Sequence, residues 1–223
     1  MLNGLKLRAK PAFSNMGRTL TFAEVDKYSA TFATWIQQNT DLQVGDRIAV
    51  QLPNLLQYPI VVFGAMRAGL VVVNTNPLYT AREMEHQFKD AGCKALVTLA
   101  NFGHLVQEVL PRTGIRYVII SELADMLPFP KRVVVNNIVK YIKKLVPAYH
   151  LPTAIPFTQV MKANPSKFKE VTPKPDDIAV LQYTGGTTGV SKGAMLTHRS
   201  ITSNMLQTHA FLSTALEAGR ETM

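Results

Sequence analysis

Residues 45–73 read GDRIAVQLPNLLQYPIVVFGAMRAGLVVV, and this stretch decides the fold. Gly45-Asp46 makes a turn, and Arg47 to Leu52 reads as a short strand. From about Leu56 to Ala68 the apolar run is long enough for a buried helix, which Gly69 stops. Leu70-Val71-Val72-Val73 is then a continuous apolar run rich in β-branched residues, as expected of a strand covered on both faces. Strand, helix and second buried strand in succession make one unit of an α/β fold.

The same rhythm extends outward in both directions. Upstream, Thr21-Phe22-Ala23-Glu24 is a capping box, in which a Thr oxygen and a Glu carboxylate satisfy backbone donors at a helix start. Behind it Phe22, Val25, Tyr28, Phe32, Trp35 and Ile36 recur at steps of three or four and predict one apolar helix face. Downstream, Thr80-Ala81-Arg82-Glu83 is a second capping box, opening a helix that ends near Gly92. Lys94 to Thr98 reads as a strand, Phe102 to Leu110 as a helix, and Tyr117 to Ser121 as a further strand. Strands separated by helices imply right-handed crossovers, so the expected fold is α/β with a mainly parallel sheet and flanking helices.

From Asp125 to Pro175 the texture changes. Eight of the thirteen prolines lie there, and the strand–helix rhythm is expected to stop. One stretch, Lys131 to Val146, keeps helical spacing through Val134, Val135, Ile138, Val139, Ile142, Leu145 and Val146, with Lys140, Lys143 and Lys144 on its polar face. The rhythm returns at Ile178-Ala179-Val180-Leu181-Gln182-Tyr183, a buried strand that runs into a glycine-rich loop.

Composition narrows the function classes. The hydrophobic share of 47% and charged share of 17% fit a folded globular protein. A single cysteine, Cys93, excludes an internal disulfide framework, suits a reducing compartment, and reads as a small buried hydrophobe. No apolar run follows Lys6, Arg8 and Lys10 before Pro11, so no signal peptide is expected. The longest apolar stretch, Pro59 to Val73, contains Arg67 and two glycines and falls short of a membrane span, leaving a cytoplasmic location as the expectation. The net charge of +9 is concentrated: residues 131–174 hold nine basic side chains and one acid, while the remaining 179 residues hold 15 basic and 14 acidic ones. A near-neutral globule with one basic segment does not predict a nucleic-acid partner.

The chemistry is expected in Tyr183-Thr184-Gly185-Gly186-Thr187-Thr188-Gly189-Val190-Ser191-Lys192-Gly193-Ala194. Its glycines bring backbone N–H groups close to a ligand, its threonines add hydroxyls, and Lys192 adds a compact positive charge. Such a loop suits an anion rich in oxygen acceptors, a triphosphate above all. It is not a Walker A sequence, because Lys192 follows Ser191 and precedes Gly193, and the Gly-x-Gly-x-x-Gly spacing of a dinucleotide site is missing. Ala194-Met195-Leu196 reads as a second strand, and Thr197 as the cap of a helix beginning near His198. The loop therefore joins two strands, and the helix dipole does not face the phosphates.

Thr184-Gly185-Gly186-Thr187-Thr188-Gly189-x-x-Lys192-Gly193 resembles the phosphate-binding signature of acyl-adenylate-forming enzymes, which include acyl-CoA synthetases, luciferases and peptide-synthetase adenylation domains. Ser191 stands where that family usually has proline. The likeness extends through Gly45 to Asn54 and Ala65 to Tyr79. Asn74 to Thr80 and Leu181 to His198 are similar to bacterial long-chain fatty-acid–CoA ligases in particular. The resemblance covers nearly all of residues 11–210, most weakly between Asp125 and Pro175.

The resemblance implies the amino-terminal part of an AMP-binding domain, with a Pro-rich basic excursion over about 125–175 and a phosphate loop over 183–194. It implies ATP, Mg2+ and coenzyme A as small-molecule reactants with a fatty acid, Lys192 and Thr184 in catalytic positions, and nucleotide contacts from Tyr183 to Ala194. Thr184 or Thr187 would touch the magnesium, and the residues do not choose between them. Family members run to more than twice this length, and the downstream Tyr-Gly-x-Thr-Glu segment, the ribose-binding aspartate and the lysine of a mobile carboxy-terminal domain are not in this sequence. A truncated, inactive ligase fragment is the expectation, with a nucleotide-binding or interaction fragment without turnover, or an adenylating enzyme for medium-chain or aryl acids, as alternatives.

Other features carry two readings each. His198 is either a base near the loop or, as favoured here, a helix-start residue packed beneath it. Tyr183 walls a ligand site or packs in the core. His86, His104, His150 and His209 are dispersed, without metal-ligand spacing. Lys131 to Lys144 is a solvated face or a contact with an anionic membrane surface. Chain-length preference and oligomeric state have no signature in these residues.

Overall fold

A computed structural model describes residues 7–184 and 191–213. It opens with an antiparallel hairpin that the sequence reading did not place, β1 (Pro11–Asn15) and β2 (Arg18–Thr21). The two residues between them, Met16 and Gly17, have φ values of 52° and 78°. Positive φ at both central positions matches the right-handed twist of the flanking strands, and Gly17 adopts it at no steric cost.

Helix α1 (Phe22–Asn39) starts at the expected capping box: the Thr21 side chain accepts from the Glu24 N–H, and the Glu24 carboxylate accepts the Thr21 N–H at 2.8 Å. Of its expected apolar face, Val25, Phe32, Trp35 and Ile36 are buried, while Phe22, in the first turn, is half exposed. The units that follow are β3 (Arg47–Gln51), α2 (Gln57–Arg67), β4 (Val71–Asn74), α3 (Ala81–Asp90), β5 (Cys93–Leu99), α4 (Gly103–Val109) and β6 (Tyr117–Ser121). Thr80 and Glu83 form the second capping box at the head of α3. These strands pair in parallel, β4 on one side of β3 and β5 then β6 on the other.

Alternation along β3 divides the core into two layers. Ile48 and Val50 pack with Phe32, Trp35, Ile36 and Ile60 of α1 and α2. Ala49, between them in sequence, joins Met84 and Phe88 of α3 and Val106 and Val109 of α4. A strand whose successive side chains enter opposite apolar layers is buried on both faces, which is why residues 70–73 carry no polar alternation. Cys93 lies in the second layer, 1% exposed, and burial pushes its thiol up to about 12.

Residues 125–175 depart from expectation in two ways. The helix begins at Lys131 as α5 (Lys131–Asn137) and continues with π-type bonding over Ile138–Ile142, but does not reach Val146. Lys144 takes a φ of 52° and Pro147 follows shortly, so helical bonding cannot continue through them. No residue of this helix is buried: Val134, Tyr141 and Ile142 are 54%, 64% and 71% exposed. The strand–helix rhythm also persists in reduced form. β7 (Ile155–Pro156) pairs in parallel with β6, and the short α6 (Phe157–Val160) puts Phe157 and Val160 into the core.

The chain then crosses to the far side of the sheet. β8 (Ile178–Thr184) pairs in parallel with β4, and β9 (Lys192–Thr197) returns antiparallel to it, giving a seven-stranded order β7-β6-β5-β3-β4-β8-β9. Thr197 caps α7 (His198–Leu212), accepting from the Ser200 N–H, and no residue of α7 is buried.

Candidate functional site

Two adjacent strands fix where a ligand can sit. The connection leaving β3 enters α2, in the layer of α1, whereas the connection leaving β4 enters α3, in the opposite layer. Where neighbouring parallel strands send their chains to opposite faces, a crevice opens beyond their carboxyl ends. A cavity of about 470 Å³ lies there, lined by Asn54, Tyr58, Asn74, Thr75, Gln182 and Tyr183 among others.

Its floor is a chain of polar contacts. The Tyr58 hydroxyl donates to Asn74 Oδ1 at 3.0 Å, Asn74 Nδ2 donates to Gln182 Oε1 at 2.9 Å, and Gln87 Nε2 donates to the Asn74 carbonyl at 2.8 Å. Burial raises the Tyr58 phenol above its ordinary value, so it stays a neutral donor. Each amide is oriented by its neighbours, which fixes which atoms face the cavity.

One root of the glycine-rich loop, at Tyr183, lines this crevice. Tyr183 and Thr184 close β8; Lys192, Gly193 and Ala194 open β9, with Ser191 just before it. Gly185, Gly186, Thr187, Thr188, Gly189 and Val190 lie outside the described residues. The two stems are in register, Thr184 opposite Lys192 and Tyr183 opposite Gly193. The expectation that the loop joins two strands, with the helix beginning beyond them, is borne out. Lys192 is exposed, and it makes no ion pair among the described residues.

Tyr183 packs in the core, as one of the two readings has it, and it also borders the crevice. It lines the cavity, and it also packs in the second core layer at 7% exposure. Its hydroxyl donates to Asp90 Oδ2 of α3, and burial, followed by that hydrogen bond and the carboxylate's charge, pushes the phenol well above its ordinary value. A Cβ on Gly193 would fall 2.8 Å from the Tyr183 ring, so only glycine lets the β9 stem lie this close.

His198 requires a correction. It is neither a base at the loop nor packed beneath it, because Thr197 pairs with Ile178, at the opposite end of the hairpin from Thr184. Its side chain instead lines a groove with Phe22, Asp26, Phe63 and Arg67 of α1 and α2. An extended strand of six residues separates His198 from the described root of the loop at Lys192.

Tyr58, Asn74, Gln182, His86 and Asp90 were not singled out from sequence as site residues. Asn74 had a usable signal, since a polar residue ending a run of buried valines sits where α/β crevices form. The remaining four depend on which helix meets which strand and leave no local mark. Among the described residues, no group of three or more His, Cys, Asp or Glu is placed to hold a metal ion.

Comparison with known proteins agrees with this geometry. The family model described as AMP-binding enzyme matches residues 5–221. The chain is 49% identical over 214 residues to a long-chain-fatty-acid–CoA ligase of Escherichia coli O6:H1, covering 95% of this chain and 38% of that protein. It is 38% identical to the Bacillus subtilis ligase of the same name, over 87% of this chain and 35% of that one. Among solved structures it is similar to a long-chain-fatty-acid–CoA ligase from Archaeoglobus fulgidus, with a TM-score of 0.68 and 25% identity over 94% of this chain and 36% of that chain. The chain thus spans little more than a third of the length of the relatives it matches.

Proposed function

The chain belongs to the AMP-binding enzyme family, and on that premise we propose that it supplies the phosphate-gripping part of a long-chain fatty-acid–CoA ligase. The observation that carries this reading is its likeness to ligases of that name, continuous through the β8–β9 hairpin at the crevice. Domain extent follows the same reading: residues 1–223 form part of an AMP-binding domain, with the loop at 183–194 and the excursion at about 125–175.

The reaction has two steps because a carboxylate is a poor electrophile until one oxygen becomes part of a good leaving group. The fatty carboxylate attacks the α-phosphorus of Mg-ATP, forming an acyl-adenylate and releasing pyrophosphate. The thiol of coenzyme A then attacks the acyl carbon and displaces AMP. Magnesium enters with ATP as part of the substrate. Charge accumulates on the β- and γ-phosphates in the first step, so donors already aimed there stabilise the transition state more than the ground state. Lys192 and Thr184, opposite one another at the loop's root, are the catalytic residues of this reading. Gly185, Gly186, Thr187, Thr188, Gly189, Val190 and Ser191 complete the grip, and Tyr183, Gly193 and Ala194 shape its stem. The ammonium of Lys192, which makes no ion pair among the described residues, and the glycine-only approach of β9 fit a densely charged oxyanion.

Oleate-dependent ATP–pyrophosphate exchange by a ligase that carries these 223 residues as its amino-terminal part is the test, with Lys192→Ala beside the unaltered protein. Loss of one such electrostatic group is expected to lower the exchange rate about 100- to 1000-fold. Exchange that survives the substitution overturns the role of Lys192. Faster exchange with octanoate or an aryl acid than with oleate overturns the long-chain assignment.

A peripheral membrane contact is the second part of the proposal. Among the described residues no helix is long and apolar enough to cross a membrane. The chain on either side of α5 nevertheless presents Phe129 before the helix and Tyr141, Ile142 and Leu145 after it, at 78%, 64%, 71% and 58% exposure, beside Lys140, Lys143 and Lys144. Exposed apolar residues among lysines suit an anionic bilayer, where each basic side chain contributes on the order of 1 kcal/mol. Co-sedimentation with phosphatidylglycerol vesicles is expected to fall when Lys140, Lys143 and Lys144 become Glu. Unchanged binding refutes the contact.

A further inference from the structure

Helix α3 reaches both roots of the glycine-rich loop. Asp90, in its last turn, accepts the Tyr183 hydroxyl at the end of β8. His86, one turn earlier, brings Nε2 to 3.3 Å from the carbonyl oxygen of Ser191, at the start of β9. Residues four apart share a helix face, so these two contacts arise from one stripe of α3. Gln87, beside them, holds the main chain of Asn74 in the crevice floor. The Tyr183 ring itself lies against Gly193, which locks the two stems together over the helix.

The helix is well fixed for such a part. Its head is closed by the Thr80–Glu83 capping box, with the Glu83 carboxylate accepting the Thr80 N–H at 2.8 Å. Met84 and Phe88 are fully buried in the second core layer. On another side, Glu85 pairs with Lys89 and with Arg112 at 2.6 and 2.7 Å, away from the hairpin. Stems already held in place lose less freedom when a ligand is bound beside them, which is the advantage of preorganisation.

We propose that Asp90 and His86 are positioning residues for the loop, α3 acting as the anvil against which both stems are set for a polyphosphate. The inference rests on the reading that residues 183–194 bind the phosphates of ATP. It adds that the affinity of the loop is set by a helix outside it. Neither residue touches the nucleotide; both act through Tyr183 and Ser191.

The test compares ATP, inorganic pyrophosphate and AMP, titrated calorimetrically against the unaltered chain and its variants. Tyr183→Phe, Asp90→Ala and His86→Ala are each expected to weaken ATP and pyrophosphate about two- to tenfold, the worth of one hydrogen bond, and to weaken AMP less. Tyr183→Phe combined with Asp90→Ala is expected to cost no more than either alone, because both remove the same bond. Asp90→Asn and His86→Gln, which keep an acceptor and a donor, are expected to recover most of the affinity. Glu85→Gln serves as the control on the same helix and is expected to bind like the unaltered chain. Urea unfolding of each variant separates lost positioning from lost folding.

Variants that bind ATP as tightly as the unaltered chain overturn the inference, as does an equal loss for AMP and ATP. Failure of the unaltered chain to bind either ATP or pyrophosphate removes the phosphate reading itself, and the inference falls with it.

Discussion

Helices α1 and α7 begin alike and end differently. Each is capped by a threonine whose side chain accepts a backbone N–H, Thr21 for α1 and Thr197 for α7. Yet nine of the eighteen residues of α1 are buried, and none of the fifteen of α7. The cap is chemistry between residues three apart, and so it is complete in both. Burial belongs to what lies opposite: α1 faces α2 and β3, whereas Met205 and Leu206 of α7 are 61% and 58% exposed. A helix start is local, and a helix's contribution to stability is not.

The largest test of that contrast is Phe32→Ala in α1. Phe32 is fully buried, and removing its ring is expected to destabilise the fold by about 3–5 kcal/mol in urea unfolding. A cost below about 1 kcal/mol would mean that α1 is no better packed than α7.

Gly64→Ala in α2 probes the same interface from the other side. A Cβ there would lie 2.8 Å from Phe32 Cβ and 2.9 Å from the Ser29 carbonyl oxygen, backbone that cannot yield cheaply. Overpacking is expected to cost about 1–3 kcal/mol, where an alanine in an exposed helix would stabilise. A rise in the unfolding midpoint would place the two helices further apart than described.

Thr21→Ala removes the cap and is expected to cost about 1 kcal/mol. Its pH dependence follows from Glu24, whose carboxyl is held below its ordinary 4.5, first by the Thr21 backbone N–H. A depressed carboxylate adds stability that is complete above the unfolded value and fades as pH falls through the lower folded value. Glu24→Gln is therefore expected to flatten the acid side of the stability profile below pH 4.5. An unchanged profile would deny the capping box its ionic component.

The smallest effect is expected from Met205→Ala in α7, within about 0.5 kcal/mol, as for exposed positions lacking a specific contact. A loss comparable to that of Phe32→Ala would show α7 to be packed and would end the comparison.

The same division decides how much was legible in the sequence. Both capping boxes, β6 and the strand–loop–strand order of the hairpin stood in short stretches of residues. The parallel sheet followed from alternation of elements. Strand order did not, because the step from β4 back across β3 to β5 is dictated by which layer each helix covers. The helical spacing of Lys131 to Val146 was real only as far as Ile142, since periodicity predicts a face and not its burial. Of the candidate site, the proposed loop stands out by composition, whereas His86 and Asp90 are ordinary helix residues until Ser191 and Tyr183 are brought beside them.

Pro156 has a consequence of another kind. It occupies half of the two-residue β7, the outermost strand beside β6. Proline has no N–H to offer an incoming strand, and two residues are too few to template one. On that margin the sheet is therefore self-terminating: a misaligned strand, whether from this chain during folding or from another molecule, finds almost no ladder to extend.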